Sequence, residues 1–185
     1  MKKNYIIIGI VVLVVLWAVG SYNGLVRANK AVDLQWSQVE TQYQRRLDLI
    51  PNLVAVVKGG TQQELAVVKQ VTDSRAAYSS AQGADQKAAA ASSVESGLGR
   101  LIAIVEANPQ ISTTPLFQGL AVDLEGTENR VSVERSRYNE AVNNINVKVS
   151  TFPSNIFAKL FGIKQRTAFQ ADAGAATVPK VNFSK

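Results

Sequence analysis

Residues 5–22, YIIIGIVVLVVLWAVGSY, hold no charged side chain and are dominated by Ile, Val and Leu. A helix of that length rises about 27 Å, enough to cross a hydrocarbon core ~30 Å thick with little tilt. Tyr5, Trp17 and Tyr22 stand near its ends, where amphipathic rings favour the membrane–water boundary. The competing reading is a cleaved secretory signal, with Lys2 and Lys3 as its charged start and Ala18 and Gly20 as the small residues at the cut. The run is longer than the usual 7–15-residue apolar core of such signals, so a retained membrane anchor over residues 1–22 is the expectation. On either reading the segment is membrane-directed.

The remaining 163 positions are too few for more than one ordinary domain. The net charge of +6 invites a nucleic-acid reading, but its location argues otherwise. Residues 23–145 carry twelve Lys and Arg against thirteen Asp and Glu. The excess lies at the two ends, in Lys2 and Lys3 and in the tail from Lys148 onward. A near-neutral middle with basic ends beside an apolar run fits membrane-surface electrostatics and not a phosphate-tracking face. No nucleic-acid partner is expected. There is no Cys and no His, which removes disulfide scaffolding, thiol nucleophiles, the usual zinc ligands and histidine acid–base chemistry. Lys2, Lys3 and the terminal amine outweigh Arg27 and Lys30 on the other flank, a bias that places the domain on the non-cytoplasmic side.

Beyond the anchor, helical periodicity runs to about residue 150. Val32, Trp36, Val39, Tyr43 and Leu47 recur every three or four positions, and only Gly24 interrupts good helix formers between the anchor and Asp48. Pro51 lacks an amide donor and its ring clashes with the preceding turn, so Ile50–Pro51 is the expected elbow between a first and a second soluble helix. Leu53, Val57, Leu65, Val68 and Val71 resume the stripe beyond it. The rival boundary is Gly59–Gly60, because two adjacent glycines cost a helix roughly 2 kcal/mol against alanine. A turn at residues 79–85 leads into an alanine-rich helix over 85–107. Asn108–Pro109 ends it, and Thr113 or Thr114 can cap a last long helix that begins at Pro115. Short connections imply antiparallel neighbours. The fold class read from this pattern is all-α, an N-terminal transmembrane helix continuing into an antiparallel four-helix bundle over residues 23–150. The elbow and the 108–115 loop would then share the membrane-distal tip, some 40 Å out on about 26 residues of helix. Residues 151–166 form an amphipathic membrane-proximal segment, and residues 167–185, aperiodic and rich in Ala, Gly, Pro and Lys, read as a disordered tail.

Three groups of residues are candidate sites. At the tip, Leu49, Ile50, Pro51, Asn52, Pro109 and Ile111 would offer apolar loop residues to a protein partner, against the alternative of ordinary loop packing. In FPSNIFAKLFGIK, the apolar Phe152, Ile156, Phe157, Leu160 and Phe161 alternate with Lys159 and Lys164, a pattern suited to a bilayer surface; the alternative is that these aromatics only close the end of the bundle. A polar seam of Glu64, Arg75, Glu128, Arg130, Glu134 and Arg135 falls on inward faces, where charges need partners and cross-helix ion pairs are expected. Carboxylates on facing helices suggest a di-iron site, but such bundles pair Glu with His at i, i+3, and this chain has no His. Gly97-x-Gly99 lacks the preceding strand that a phosphate loop needs. No catalytic residue, cofactor or metal site is expected.

At these residues the chain resembles the LemA family of bacterial membrane-anchored proteins. The resemblance rests on YNGLVRANKAVDLQWSQVETQYQRRLDLIPNLVAVVKG, Asn108–Pro109, LEGTENRV and RSRYNEAVNNINVKVSTFP, and spans Tyr22 to Ile163. It implies a single-pass anchor, a four-helix antiparallel domain, a place in the bacterial inner membrane and no catalytic residues. It also brings in the opposite orientation, with the short N-terminus outside. The expected function is that of a non-enzymatic scaffold or adaptor which presents its bundle to protein partners and self-associates into homo-oligomers. The alternative is a membrane-organising or membrane-remodelling protein acting through residues 152–166.

Overall fold

A computed structural model describes residues 2–60 and 65–169. Among them there are six helices and no strand: α1 Lys2–Gly60, α2 Leu65–Ser80, α3 Gly83–Glu106, α4 Pro109–Ser112, α5 Pro115–Ser150 and α6 Ser154–Leu160. The described chain divides into two compact units, one formed by the residues through Arg46 with Leu124–Ala168 and the other by Leu47–Asp123.

In the first unit α1 and α5 lie antiparallel. Gly24 meets Lys148, Trp36 meets Tyr138 edge to face at 5.6 Å, and Arg46 meets Glu128, so residue numbers rise on one helix as they fall on the other. Leu25, Ala28, Val32, Val39 and Tyr43 are buried on α1, and Leu124, Val131, Tyr138, Val142 and Ile145 on α5. These three- and four-residue steps keep one apolar stripe turned inward along each helix. The stripe starts at Leu25. Before it, large side chains from Tyr5 to Val19 are exposed. The apolar run continues into the rest of α1 as one helix, because nothing between Gly20 and Leu25 breaks it.

In the second unit α2 and α3 form a hairpin across Ala81–Gln82. Val68, Val71, Ser74 and Tyr78 pack inward on α2, as do Ala91, Val94, Gly97, Leu98, Leu101 and Val105 on α3. Ala88–Ser93 therefore belongs to a helix, as the alanine-rich pattern predicts. At Gly97 the two helices of the hairpin come close: a Cβ there would lie 2.9 Å from Cγ2 of Val71. Asp48 of α1 stands 4.0 Å from Arg75 of α2, at similar distances from the ends of the two helices, which sets them antiparallel. Thr114 caps α5, its hydroxyl accepting the Phe117 N–H at 3.3 Å with Pro115 in the first helical position.

The elbow at Ile50–Pro51 does not form. Pro51 lies inside α1, which runs on to Gly60. Two physical facts explain the difference. Pro51 and Asn52 face solvent, so the proline ring takes no place in the packed core. Meanwhile Leu47, Ile50, Leu53 and Val57 stay in phase across the proline and are all buried, so continuing the helix keeps a stripe that stopping would forfeit. The described helix reaches the Gly59–Gly60 pair, the rival boundary. Residues 61–64, between α1 and α2 in the sequence, lie outside the described residues.

Candidate functional site

The densest gathering of sequence-predicted site residues lies where α6 meets α1. The Phe157 ring stands edge-on to Trp17 at 5.3 Å between centroids, and Phe161 lies against Tyr22 at 4.4 Å. Both partners belong to the apolar run. Only Ala158 of α6 is fully buried, while Phe152, Ile156, Leu160 and Phe161 are exposed, Phe152 to 79% and Leu160 to 72%. Lys159 and Lys164 are exposed beside them.

What holds α6 here is a feature that sequence reasoning assigned partly to the tail. The helix ends with Gly162 in the left-handed region, φ +67. The Gly162 N–H donates to the Lys159 carbonyl at 3.3 Å and the Ile163 N–H to the Ala158 carbonyl at 2.9 Å, a Schellman closure that glycine accepts without a Cβ penalty. The chain then runs along unit one as a strap. Gln165 Nε2 donates to Ser150 Oγ at 2.9 Å. Asn146 brackets Arg166, accepting its N–H at 2.8 Å and donating to its carbonyl at 2.9 Å. The Arg166 guanidinium pairs with Asp33, and Tyr138 OH donates to the Thr167 carbonyl at 3.0 Å. Ordered chain thus extends past residue 166; residues 170–185 of the expected tail lie outside the described residues.

The polar seam is distributed differently from the expectation. Glu128 meets Arg46, whose side chain is 8% exposed, and Arg135 donates to the Tyr43 hydroxyl with its guanidinium 5.2 Å from that ring. Arg75 faces Asp48. Glu134, however, pairs along its own helix with Arg137 at 2.8 Å, as i, i+3 spacing allows. Arg130 is exposed, because it sits off the stripe through Leu124, Glu128, Val131 and Arg135. Glu64 lies outside the described residues. Arg46 was the omission: three residues after Tyr43 and four before Ile50, it shares their inward face. Among the described residues no group of three or more acidic, His or Cys side chains is placed to hold a metal.

The expected tip set is not brought together in loops. Leu49, Ile50, Pro51 and Asn52 lie within α1, Ile50 buried in the core. Pro109 and Ile111 belong to α4, and Ile111 is itself buried. The neighbours of Ile111 are instead the last turns of α1. Ala55, Val56, Gly59, Gln110, Ile111, Thr114 and Leu116 line an open, mainly apolar groove of about 420 Å³ within the second unit. Its lining carries no titratable side chain.

Among the described residues two helices are long and apolar enough to cross a membrane: the α1 stretch, whose most apolar window is not buried at all, and Gly83–Glu106, a third of whose window is buried. The apolar face of the latter packs on α2, as expected of a core helix. The exposed N-terminal run fits a membrane location. Two magnetosome proteins of Paramagnetospirillum magneticum, MamQ 1 and MamQ 2, are each 33% identical to this chain over 73 residues, 40% of its length. The shared stretch spans only 27% of either relative. The LemA family matches over residues 35–183, which includes α2 to α6 and most of α1 beyond the apolar run. On that match the chain belongs to the LemA family.

Proposed function

We propose that this chain is a non-enzymatic scaffold, anchored by residues 5–22 in a single pass of the bacterial inner membrane, which offers its helical domain to protein partners, a second copy of itself among them. The observation that carries the reading is the continuity of α1. The helix with the exposed apolar run also supplies buried residues to both units, Leu25 to Tyr43 to one and Ile50, Leu53 and Val57 to the other. Such a helix ties a folded domain to a bilayer. The absence of His and Cys from the sequence and a groove lined without titratable groups support the non-enzymatic reading. The Lys2–Lys3 flank supports placing the domain on the non-cytoplasmic side.

The test uses full-length protein in its own membranes, with photo-crosslinking side chains at Gln110 on the groove and at exposed Leu34, and sedimentation of the solubilised protein. Adducts to a second copy or to a discrete partner, with a sedimenting species larger than the monomer, are expected. A strictly monomeric protein that yields no adduct from either position would overturn the reading. A second reading, local organisation of the membrane through residues 152–166, is favoured by the contacts of Phe157 and Phe161 with Trp17 and Tyr22. Vesicles reshaped by the full-length chain, and spared by a variant with polar residues at Ile156 and Leu160, would support it.

A further inference from the structure

We infer that residues 152–164 are a second, built-in bilayer contact: a collar around the emerging anchor whose apolar side chains enter the headgroup region and whose lysines bind acidic phospholipid. The inference rests on the anchoring of the apolar run in a bilayer and adds to it a position, an orientation and a lipid preference. Three observations carry it.

The first is depth. Phe161 lies against Tyr22 at the end of the uncharged run, and Phe157 against Trp17, five residues inside it. Five residues of helix are about 7.5 Å, within the ~5–10 Å to which interfacial helices bury their apolar faces. With the anchor in the bilayer, the ring of Phe157 is already at that level. The second is exposure without freedom. Phe152, Ile156, Leu160 and Phe161 are exposed, yet α6 cannot fold away to hide them. One end is joined to α5 through Thr151 and Ser154, whose Oγ donates to the Lys148 carbonyl at 2.5 Å, and the other is held by the Gly162 closure and the strap to Asn146, Asp33 and Tyr138. An apolar patch fixed beside a membrane helix finds its cover in lipid. The third is charge. Residues 148–166 contain four basic and no acidic side chains. Arg166 is engaged with Asp33 and Lys148 with the Gly24 carbonyl at 3.5 Å, whereas Lys159 and Lys164 point to solvent from the patch itself. Lipid phosphate is the anion that such a place presents.

The chain has no native Cys, so single cysteines carry nitroxide labels cleanly. Full-length protein is reconstituted into phosphatidylcholine vesicles with and without phosphatidylglycerol, labelled in turn at Val11, Ile156, Leu160 and Asn143, and collisions with oxygen and with a water-soluble nickel complex are measured. Labels at 156 and 160 are expected to sit below the phosphate level, between the buried label at 11 and the aqueous label at 143. If 156 and 160 match 143 while 11 is buried, the collar is wrong and the anchor stands; if 11 is itself aqueous, the anchor fails and the collar with it. In the second arm, energy transfer to labelled phosphatidylglycerol reports acidic lipid beside the protein. Lys159→Gln and Lys164→Gln are each expected to lower that preference roughly fivefold, with helix content unchanged by circular dichroism and soluble glycerol phosphate failing to compete. Undiminished preference in the double variant would overturn the lipid assignment.

Discussion

Replacing Gly97 and, separately, Gly99 by alanine makes the packing of the α2–α3 hairpin measurable. Both glycines lie inside α3, where alanine gains about 1 kcal/mol of intrinsic helix stability. Their surroundings are opposite. A Cβ on Gly99 meets nothing within 4 Å, while one on Gly97 lands 2.9 Å from Val71 Cγ2, with the Val71 backbone Cα 3.5 Å away. Val71 is fully buried, and as a β-branched residue in a helix it has one strongly preferred rotamer, so it cannot swing clear. Overpacking of this kind costs about 1–3 kcal/mol. Gly99→Ala should therefore stabilise the protein, and Gly97→Ala should leave it unchanged or destabilise it by up to about 2 kcal/mol. The gap between the two is the clash alone, roughly 2–12 °C in Tm at ~2–4 °C per kcal/mol for a chain of this size. The assay is thermal unfolding of the full-length protein in detergent, followed by circular dichroism. Because contacting residues couple, Gly97→Ala placed in a Val71→Ala background should turn stabilising. If Gly97→Ala raises Tm as much as Gly99→Ala does, the helices do not meet at this glycine and the hairpin packing is wrong.

Two further outcomes follow from the same structure. Glu128→Ala takes the carboxylate from Arg46 and should cost about 1–3 kcal/mol, below the value for a fully buried pair because Glu128 is half exposed; Arg46→Met, which removes the buried charge itself, should cost less than Glu128→Ala, and urea unfolding of both variants checks the order. Spin labels at exposed Arg45 and Lys58 should lie about 20 Å apart if α1 runs through Pro51; pulsed dipolar spectroscopy returning about 10 Å would instead mean two antiparallel helices meeting at an elbow.

Much of this fold was legible because it follows from periodicity. The apolar run, the stripe from Val32 to Leu47, the stop at Asn108–Pro109 and the start at Thr114–Pro115 each depend on residue type and spacing over a few turns. Pro51 was misleading because its local penalty was weighed without knowing which face it occupied. Pro51 occupies a solvent face, and the in-phase burial of Ile50 and Leu53 on the opposite side outweighs its local cost. Arg46 shows the converse: its charge argued for the surface, while its position between Tyr43 and Ile50 placed it inside. The collar was visible in part. Aromatic and lysine spacing marked Phe157 and Lys159, but nothing marked the strap, since two of its bonds accept through the Arg166 and Thr167 backbone carbonyls, which carry no side-chain signature. The groove at Ile111 could not be anticipated while the helix was taken to reverse at Pro51.

The account stands on one helix that begins in the bilayer and continues as the frame of the domain. Single cysteines at Val11, Lys30 and Lys58, challenged with a membrane-impermeant maleimide in intact and then in opened membranes, test this directly. The account predicts that Lys30 and Lys58 positions label together, from the same side, and that Val11 stays unlabelled until the membrane is dissolved. Labelling at Val11 as ready as at Lys30, without detergent, would contradict it.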